Sequence, residues 1–495
     1  MEKKNWERKV TETGSREGSQ IMSKFSCRML LLLPGILAAR SQTDTACDMP
    51  SLMFGTPSLI GSANFTGLNG SRFWFPSISI PIPGRVNHTA QHITLSGDGG
   101  ECPDPKHPEQ LCEQLMLTRD GGQTYTVVKT ASTGTSGSFN GYGATPGTFV
   151  PAAVETPGQF NTLVACNECP GGTGGSVAQP IYLLTWKESS TAGLRIVRNQ
   201  TANFTGTPDE FSGRYKCGSG ANWKFVTCGL RGPSPSILRL RDGRSLLAFY
   251  GIGKDAPRCG AALCRTVALF QGDASGTHWS YLSRVDQTSN MPAGLGPSES
   301  SMAELADGRI LMVFRVGVGC PLWKVYSGDG GKTWGIRSAT TAWAVWPQLL
   351  LLSNGVLILT AGRPGIGLWV SNGTTADGSS WRHYDLEIEH NKRVTSTFTF
   401  TNSSYGPPFA PAPSKLPPWR RYPPRYPAGT KWSDTSSYTG TVEIEPGTVL
   451  IAYDRIAQSA PRKGNVGLLA EQQVFAMRVV VTPAETTQLP ASEIE

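Results

Sequence analysis

The sequence predicts an all-β protein built from six repeats of one supersecondary unit, and three observations carry that expectation. Gly 57 and Pro 36, with only 17% charged residues, suit a turn-rich β chain of 495 residues better than a helical one. Apolar hairpins with Asp-Gly, Asn-Gly or Pro-Gly turns return along the chain, and a second, polar turn motif returns with several of them. The intervals run to roughly 50 to 90 residues, the shortest within the range of propeller blades. A large all-β architecture can use most of this length as one domain.

Residues 1–40 read as a leader. Met29 to Ala39, MLLLLPGILAA, is an apolar run preceded by Lys24 and Arg28 and followed by small residues. That is the pattern of a secretory signal, and it is too short to span a membrane. Polar residues 1–21 are unusual upstream of such a signal, so Met22 is an alternative start. Removing the leader takes away eight basic and four acidic side chains and lowers the net charge from +8 to +4. A balance this mild favours anionic ligands and gives no ground for nucleic-acid binding.

The cysteines agree with export. Beyond Cys27 there are ten, and proximity suggests Cys102 with Cys112, Cys166 with Cys169, Cys217 with Cys228 and Cys259 with Cys264, leaving Cys47 and Cys320. Only Cys166-Asn-Glu-Cys169 has zinc-ligand spacing, and no second pair answers it. Seven Asn-x-Ser/Thr sequons, at Asn64, Asn69, Asn87, Asn199, Asn203, Asn372 and Asn402, also suit a secreted glycoprotein. No apolar stretch after Ala39 is long enough for a transmembrane helix.

After a segment spanning residues 41–71, the repeats occupy residues 72–482, with units beginning near Arg72, Gly147, Gly232, Gly296, Trp346 and Ser437. The clearest are GPSPSILRLRDGRSLLAFYG from Gly232, GPSESSMAELADGRILMVFR from Gly296, WPQLLLLSNGVLILTAGR from Trp346 and SSYTGTVEIEPGTVLIAYDR from Ser436. Each is an apolar strand, a Gly-containing turn and a second apolar strand. Residues 405–429 are too proline-rich for a central strand and read as a surface insertion. Residues 483–495 read as a tail.

The polar turn motif is TRDGGQTY at Thr118 and SGDGGKTW at Ser327, with degenerate copies GDASGTHW at Gly272 and TADGSSW at Thr375. Its Asp caps backbone N–H groups, its glycines take positive φ, and its aromatic is expected to fold back into the blade core. These turns resemble the Asp boxes (BNR repeats) of the sialidase, or neuraminidase, superfamily, and the resemblance covers most of residues 72–481. It implies a six-bladed β-propeller with Asp-box repeats.

The resemblance extends to site residues. Tyr438 is similar to the family's nucleophilic tyrosine, and Glu299, in PSESSMAELADGR, to the glutamate that takes the tyrosine's proton. Arg315, ending ILMVFR, and Arg363, in TAGRPGIGLWVS, resemble two arginines of the carboxylate clamp. The unit from Gly232 has Pro235 and Tyr250 where that from Gly296 has Glu299 and Arg315, so the hairpin alone does not demand the latter pair. The family's Arg-Ile-Pro motif corresponds here to Arg72-Phe-Trp-Phe-Pro76, with Trp74 in the arginine's register. Arg72 lies two residues away on the same strand face, and Arg85 is a weaker substitute. The acid falls in the loop Gly97 to Cys112, where Asp104 is preferred and Asp98 is next.

The chemistry gives each residue type a reason. A sialic acid carries a carboxylate on its anomeric carbon, which the planar, permanently charged fork of arginine holds bidentately. A carboxylate nucleophile would be repelled by that charge, and a tyrosine activated by glutamate would not. The expected activity is therefore retaining, exo-α-sialidase-like glycoside hydrolysis of sialoglycoconjugates or related acidic glycans, with no metal or organic cofactor. The alternative is a non-catalytic, lectin-like propeller. The expected location is extracellular.

Overall fold

The computed structural model describes residues 50–62, 73–97, 100–101, 113–128, 148–150, 156–165, 181–189, 193–206, 230–251, 258–259, 262–291, 296–317, 320–362, 365–371, 377–395, 399–400, 435, 438–455 and 473–484. The fold is a six-bladed β-propeller. Blade I starts with Phe73–Pro81, blade II with Thr148–Val150 and blade III with Leu230–Arg239. Blades IV, V and VI start with Ser300–Glu304, Val345–Leu351 and Thr439–Glu445. Each of these first strands packs on the first strand of the next blade, and blade VI returns to blade I, so they line the axis as a closed ring. Residues ahead of Arg72 join this ring: Ser51–Phe54 and Ser58–Ser62 both pair with Gln473–Thr482, the third strand of blade VI.

Side-chain alternation explains why the ring holds. In the second strand of blade III, Leu246 and Ala248 enter the cluster shared with blade IV, while Leu247 and Phe249 enter the one shared with blade II. In blade IV, Met312 and Phe314 face blade III, and Leu311 and Val313 face blade V. Both faces of such a strand are buried, which is why SLLAF and ILMVF show no polar alternation. The six apolar clusters all lie between neighbouring blades. Each fully buried leucine or phenylalanine in them stabilises the ring by about 1.5–3 kcal/mol.

The Asp-Gly-Gly turns follow the expected turn chemistry. Asp329 Oδ1 accepts from Ser327 Oγ at 2.8 Å and from the Thr333 backbone N–H at 2.9 Å, and its Oδ2 accepts from Thr333 Oγ1 at 2.6 Å. Asp120 binds Thr118 and Thr124 in the same way. The aromatics of these turns and of the degenerate copy at Gly272 fold into the apolar cores, as expected, and those cores lie between blades. Tyr125 is buried in the cluster with blade VI, Trp279 in the cluster with blade II, and Trp334 packs on the cluster with blade III. Each thus braces its own blade against the preceding one, because the turn sits over that interface: a Cβ on Gly331 would stand 2.8 Å from Leu269 of blade III.

Residues 1–40, expected to be a leader, the proline-rich segment 405–429 and most of the cysteines and sequons lie outside the described residues. Cys264 and Cys320 are buried and disulfide-bonded. No helix among the described residues is long and apolar enough to cross a membrane.

Candidate active site

Strand direction decides which residues can meet. The first and second strands of each blade form an antiparallel hairpin, so the start of the first and the end of the second share one end of the propeller. Glu299 stands just before Ser300–Glu304, and Arg315 just after Ile310–Phe314. They are opposite each other on the last rung of that hairpin. Arg315 N donates to Glu299 O at 2.9 Å, and Ser298 N donates to Arg315 O at 2.8 Å. Sixteen positions apart in sequence, the two become cross-strand neighbours.

Their side chains form a buried ion pair. Arg315 Nη1 donates to Glu299 Oε1 at 2.6 Å, and the two side chains are 11% and 8% exposed. The second carboxylate oxygen, Oε2, accepts the backbone N–H of Trp346 in blade V at 3.0 Å. Burial alone would lower the Arg315 guanidinium, but the charges of Glu299, Tyr438 and Tyr250 outweigh it and raise it above its ordinary value. Among the described residues only Nη1 and the weakly held Nε, 3.4 Å from Gly317 O, are engaged. The Nη2 donors remain for a ligand's oxygen atoms.

Tyr438 reaches the same place from blade VI. It is half-buried, directly precedes Thr439–Glu445, and its ring lies 4.9 Å from that of Trp346 at 40°. Its lead-in and its strand are both tied down. Thr435 Oγ1 donates to Asp454 Oδ1 at 2.7 Å, and Asp454 is fully buried. Gln348 of blade V donates its amide to Thr439 O and accepts from Thr441 N at 2.8 Å. Thr360 and Thr439 pair through their hydroxyls at 3.1 Å.

Glu299, Arg315 and Tyr438 are therefore brought together from two blades, with blade V between them. Arg363 follows Gly362, the last residue of the second strand of blade V, and lies outside the described residues, as do Arg72, Asp98 and Asp104. Arg85 does not belong to this site. It is 52% exposed in the turn after Phe73–Pro81, at the opposite end of the propeller, 3.6 Å from Glu188. Phe73–Pro81 runs from the site end of the propeller to the other, so the turn that follows it, Arg85 included, sits at the far end. The sequence reading missed Trp346 as a site residue, and Gln348 too. Arg265, whose guanidinium lies 5.8 Å from the centre of the Tyr250 ring, borders the site from blade III. No three His, Cys, Asp or Glu side chains gather as a metal would require, among the described residues.

Comparisons with known proteins bear on the fold. No protein-family description and no curated protein matches the chain at the sequence level. Among solved structures, a protein of unknown function from Dyadobacter fermentans is 14% identical, with a TM-score of 0.52 over 88% of this chain and 100% of that one. A sialidase, Hadza microbial sialidase Hz136, is 13% identical, with a TM-score of 0.50 over 84% of this chain and 67% of that one. A point mutant of the NanB sialidase from Streptococcus pneumoniae is 13% identical, with a TM-score of 0.46 over 87% of this chain and 71% of that one. At this identity the likeness is one of fold.

Proposed function

We propose that this propeller is an exo-α-sialidase-like glycoside hydrolase acting with retention on terminal sialic acid or a related acidic sugar. The observation that carries the reading is the meeting of Glu299, Arg315 and Tyr438, three residues singled out in the sequence for complementary roles. The Asp boxes at Asp120 and Asp329 and the sialidase among the similar folds support it.

In this mechanism Tyr438 Oη attacks the anomeric carbon while Glu299 takes the phenolic proton, and the leaving oxygen takes a proton from Asp104 or Asp98. The same residue, now a carboxylate, then takes a proton from water, whose oxygen attacks the anomeric carbon and breaks the Tyr438–sugar bond, and Glu299 gives its proton back to the leaving Tyr438 Oη. Arg315 and Arg363, together with Arg72, hold the substrate carboxylate. Arg315 has a double task, because it also fixes the Glu299 carboxylate by donating to its Oε1. The protein acts outside the cell, a reading supported by the apolar leader and the disulfide-bonded Cys264 and Cys320.

A fluorogenic sialoside tests this. Wild type is expected to turn it over, and Tyr438→Phe to lose activity by on the order of 10³-fold or more while remaining folded. Turnover that Tyr438→Phe leaves intact would remove the nucleophile. Sialoside binding without any turnover would instead favour the lectin-like alternative.

A further inference from the structure

The geometry points to the segment Trp346–Pro347–Gln348 as the device that sets nucleophile against base, with Trp346 as a positioning residue for the proposed reaction. The inference rests on that functional reading but is carried by a separate feature, a fault in the first strand of blade V. Pairing there runs Val345 with Gly362 and then Gln348 with Thr360, so the blade V strand holds one residue more than its partner. This is a β-bulge.

Within the bulge Trp346 has φ +51, one of two positive values for non-glycine residues among those described. Bulky side chains avoid this region of backbone, so the surroundings must hold it there. What the conformation provides is visible in its contacts. The Trp346 N–H turns toward blade IV and donates to Glu299 Oε2 at 3.0 Å. The indole turns toward blade VI and packs against Tyr438, the ring centres 4.9 Å apart. Two residues on, Gln348 grips the backbone on both sides of Gly440. One three-residue segment thus touches the base, the nucleophile and the strand that carries the nucleophile.

A regular strand could not do this. Removing the extra residue would shift the register by one and exchange the faces of every side chain before Gln348. Trp346 is 5% exposed and lies beneath the site, so its role is to position and not to bind substrate. Either contact alone would be ordinary packing. Their combination in a strained residue at the junction of three blades is what assigns the role.

Glycine separates the two halves of the device, because it tolerates positive φ. Trp346→Gly keeps the backbone and the N–H to Glu299 while removing the indole, and Trp346→Phe keeps a ring. Expected for Trp346→Gly is a fall in kcat of about 10²-fold with KM within about twofold, and a displaced pH profile of kcat; Trp346→Phe recovers most of the loss. A second readout does not need turnover: the phenolate absorbance assigned to Tyr438, taken as wild type minus Tyr438→Phe, should titrate at a different pH in a Trp346→Gly background. An unchanged kcat profile in Trp346→Gly, or a Tyr438 titration that does not move, overturns the inference. If wild type has no sialoside turnover, the functional reading fails, and the titration alone decides whether Trp346 governs Tyr438.

Discussion

Replacing Arg315 with methionine should expose how the buried pair is balanced. In the native protein Glu299 receives one charged hydrogen bond, from Arg315 at 2.6 Å, and one neutral one, from the Trp346 N–H at 3.0 Å. Arg315→Met leaves a carboxylate, 8% exposed, with the neutral donor alone. Breaking such a pair from one side costs about 3–5 kcal/mol, mainly through the stranded charge. Glu299→Gln strands the guanidinium instead and belongs to the same range, less the contribution of the amide oxygen that still accepts from Arg315. The double variant strands no charge, leaving only the amide N–H donors short of a partner, so it should lie within about 2 kcal/mol of wild type. The coupling energy from the cycle is then at least about 2 kcal/mol. Urea unfolding followed by tryptophan fluorescence, with reversibility checked, measures it. Additive losses, or a single variant within about 1 kcal/mol of wild type, would refute the reasoning. Stability is the proper readout because all three variants also remove groups from the proposed chemistry.

Two other predictions concern the Asp-Gly-Gly turns. Gly331→Ala places a methyl group 2.8 Å from Leu269 at a backbone φ of +90 and should destabilise by about 1–3 kcal/mol, whereas Gly328→Ala, with nothing within 4 Å, should change stability by less than about 0.5 kcal/mol. Equal losses from the two would dismiss the packing argument. Hydrogen bonds from Thr333, then from Ser327 and Lys332, hold the Asp329 carboxyl down at about 2. Its folded value lies below its unfolded one, so its contribution is complete above the ordinary aspartate range near 3.8 and is lost as pH falls through about 2. The gap in thermal midpoint between wild type and Asp329→Ala should therefore narrow over that interval, and a gap indifferent to pH would contradict the assignment.

The sequence made the hairpins legible because blade strands buried on both faces leave continuous apolar runs between turn glycines, a local signal that needs no knowledge of neighbours. Glu299 and Arg315 were legible only through the resemblance of PSESSMAELADGR and ILMVFR to sialidase motifs, and the hairpin then sets the two opposite each other. What the sequence concealed is non-local. Ser51–Phe54 pairs with a strand more than four hundred residues away, and nothing in SLMF announces that partner. The turn aromatics were legible as buried but not as facing the preceding blade, because that depends on how one sheet stacks on the next. Arg85 misleads for a related reason: it is near Arg72 in sequence, yet the intervening strand Phe73–Pro81 carries it to the far end of the propeller.

Trp346 is the instructive case. In WPQLLLLSNGVLILTAGR it reads as one more apolar residue opening a strand, and an alternating pattern assigns it a face like any other. The bulge is not written in that pattern, since the extra residue is recognisable only against the partner strand. Yet the bulge is what makes blade V relevant to the proposed reaction, whose proposed base and nucleophile belong to blades IV and VI. A ring of similar hairpins delivers side chains to one end at regular spacing, which suffices to surround a sugar. Setting a phenol against a carboxylate asks for finer adjustment than the repeat provides. The local departure from the repeat, with its strained backbone and its two contacts, is where that adjustment is made.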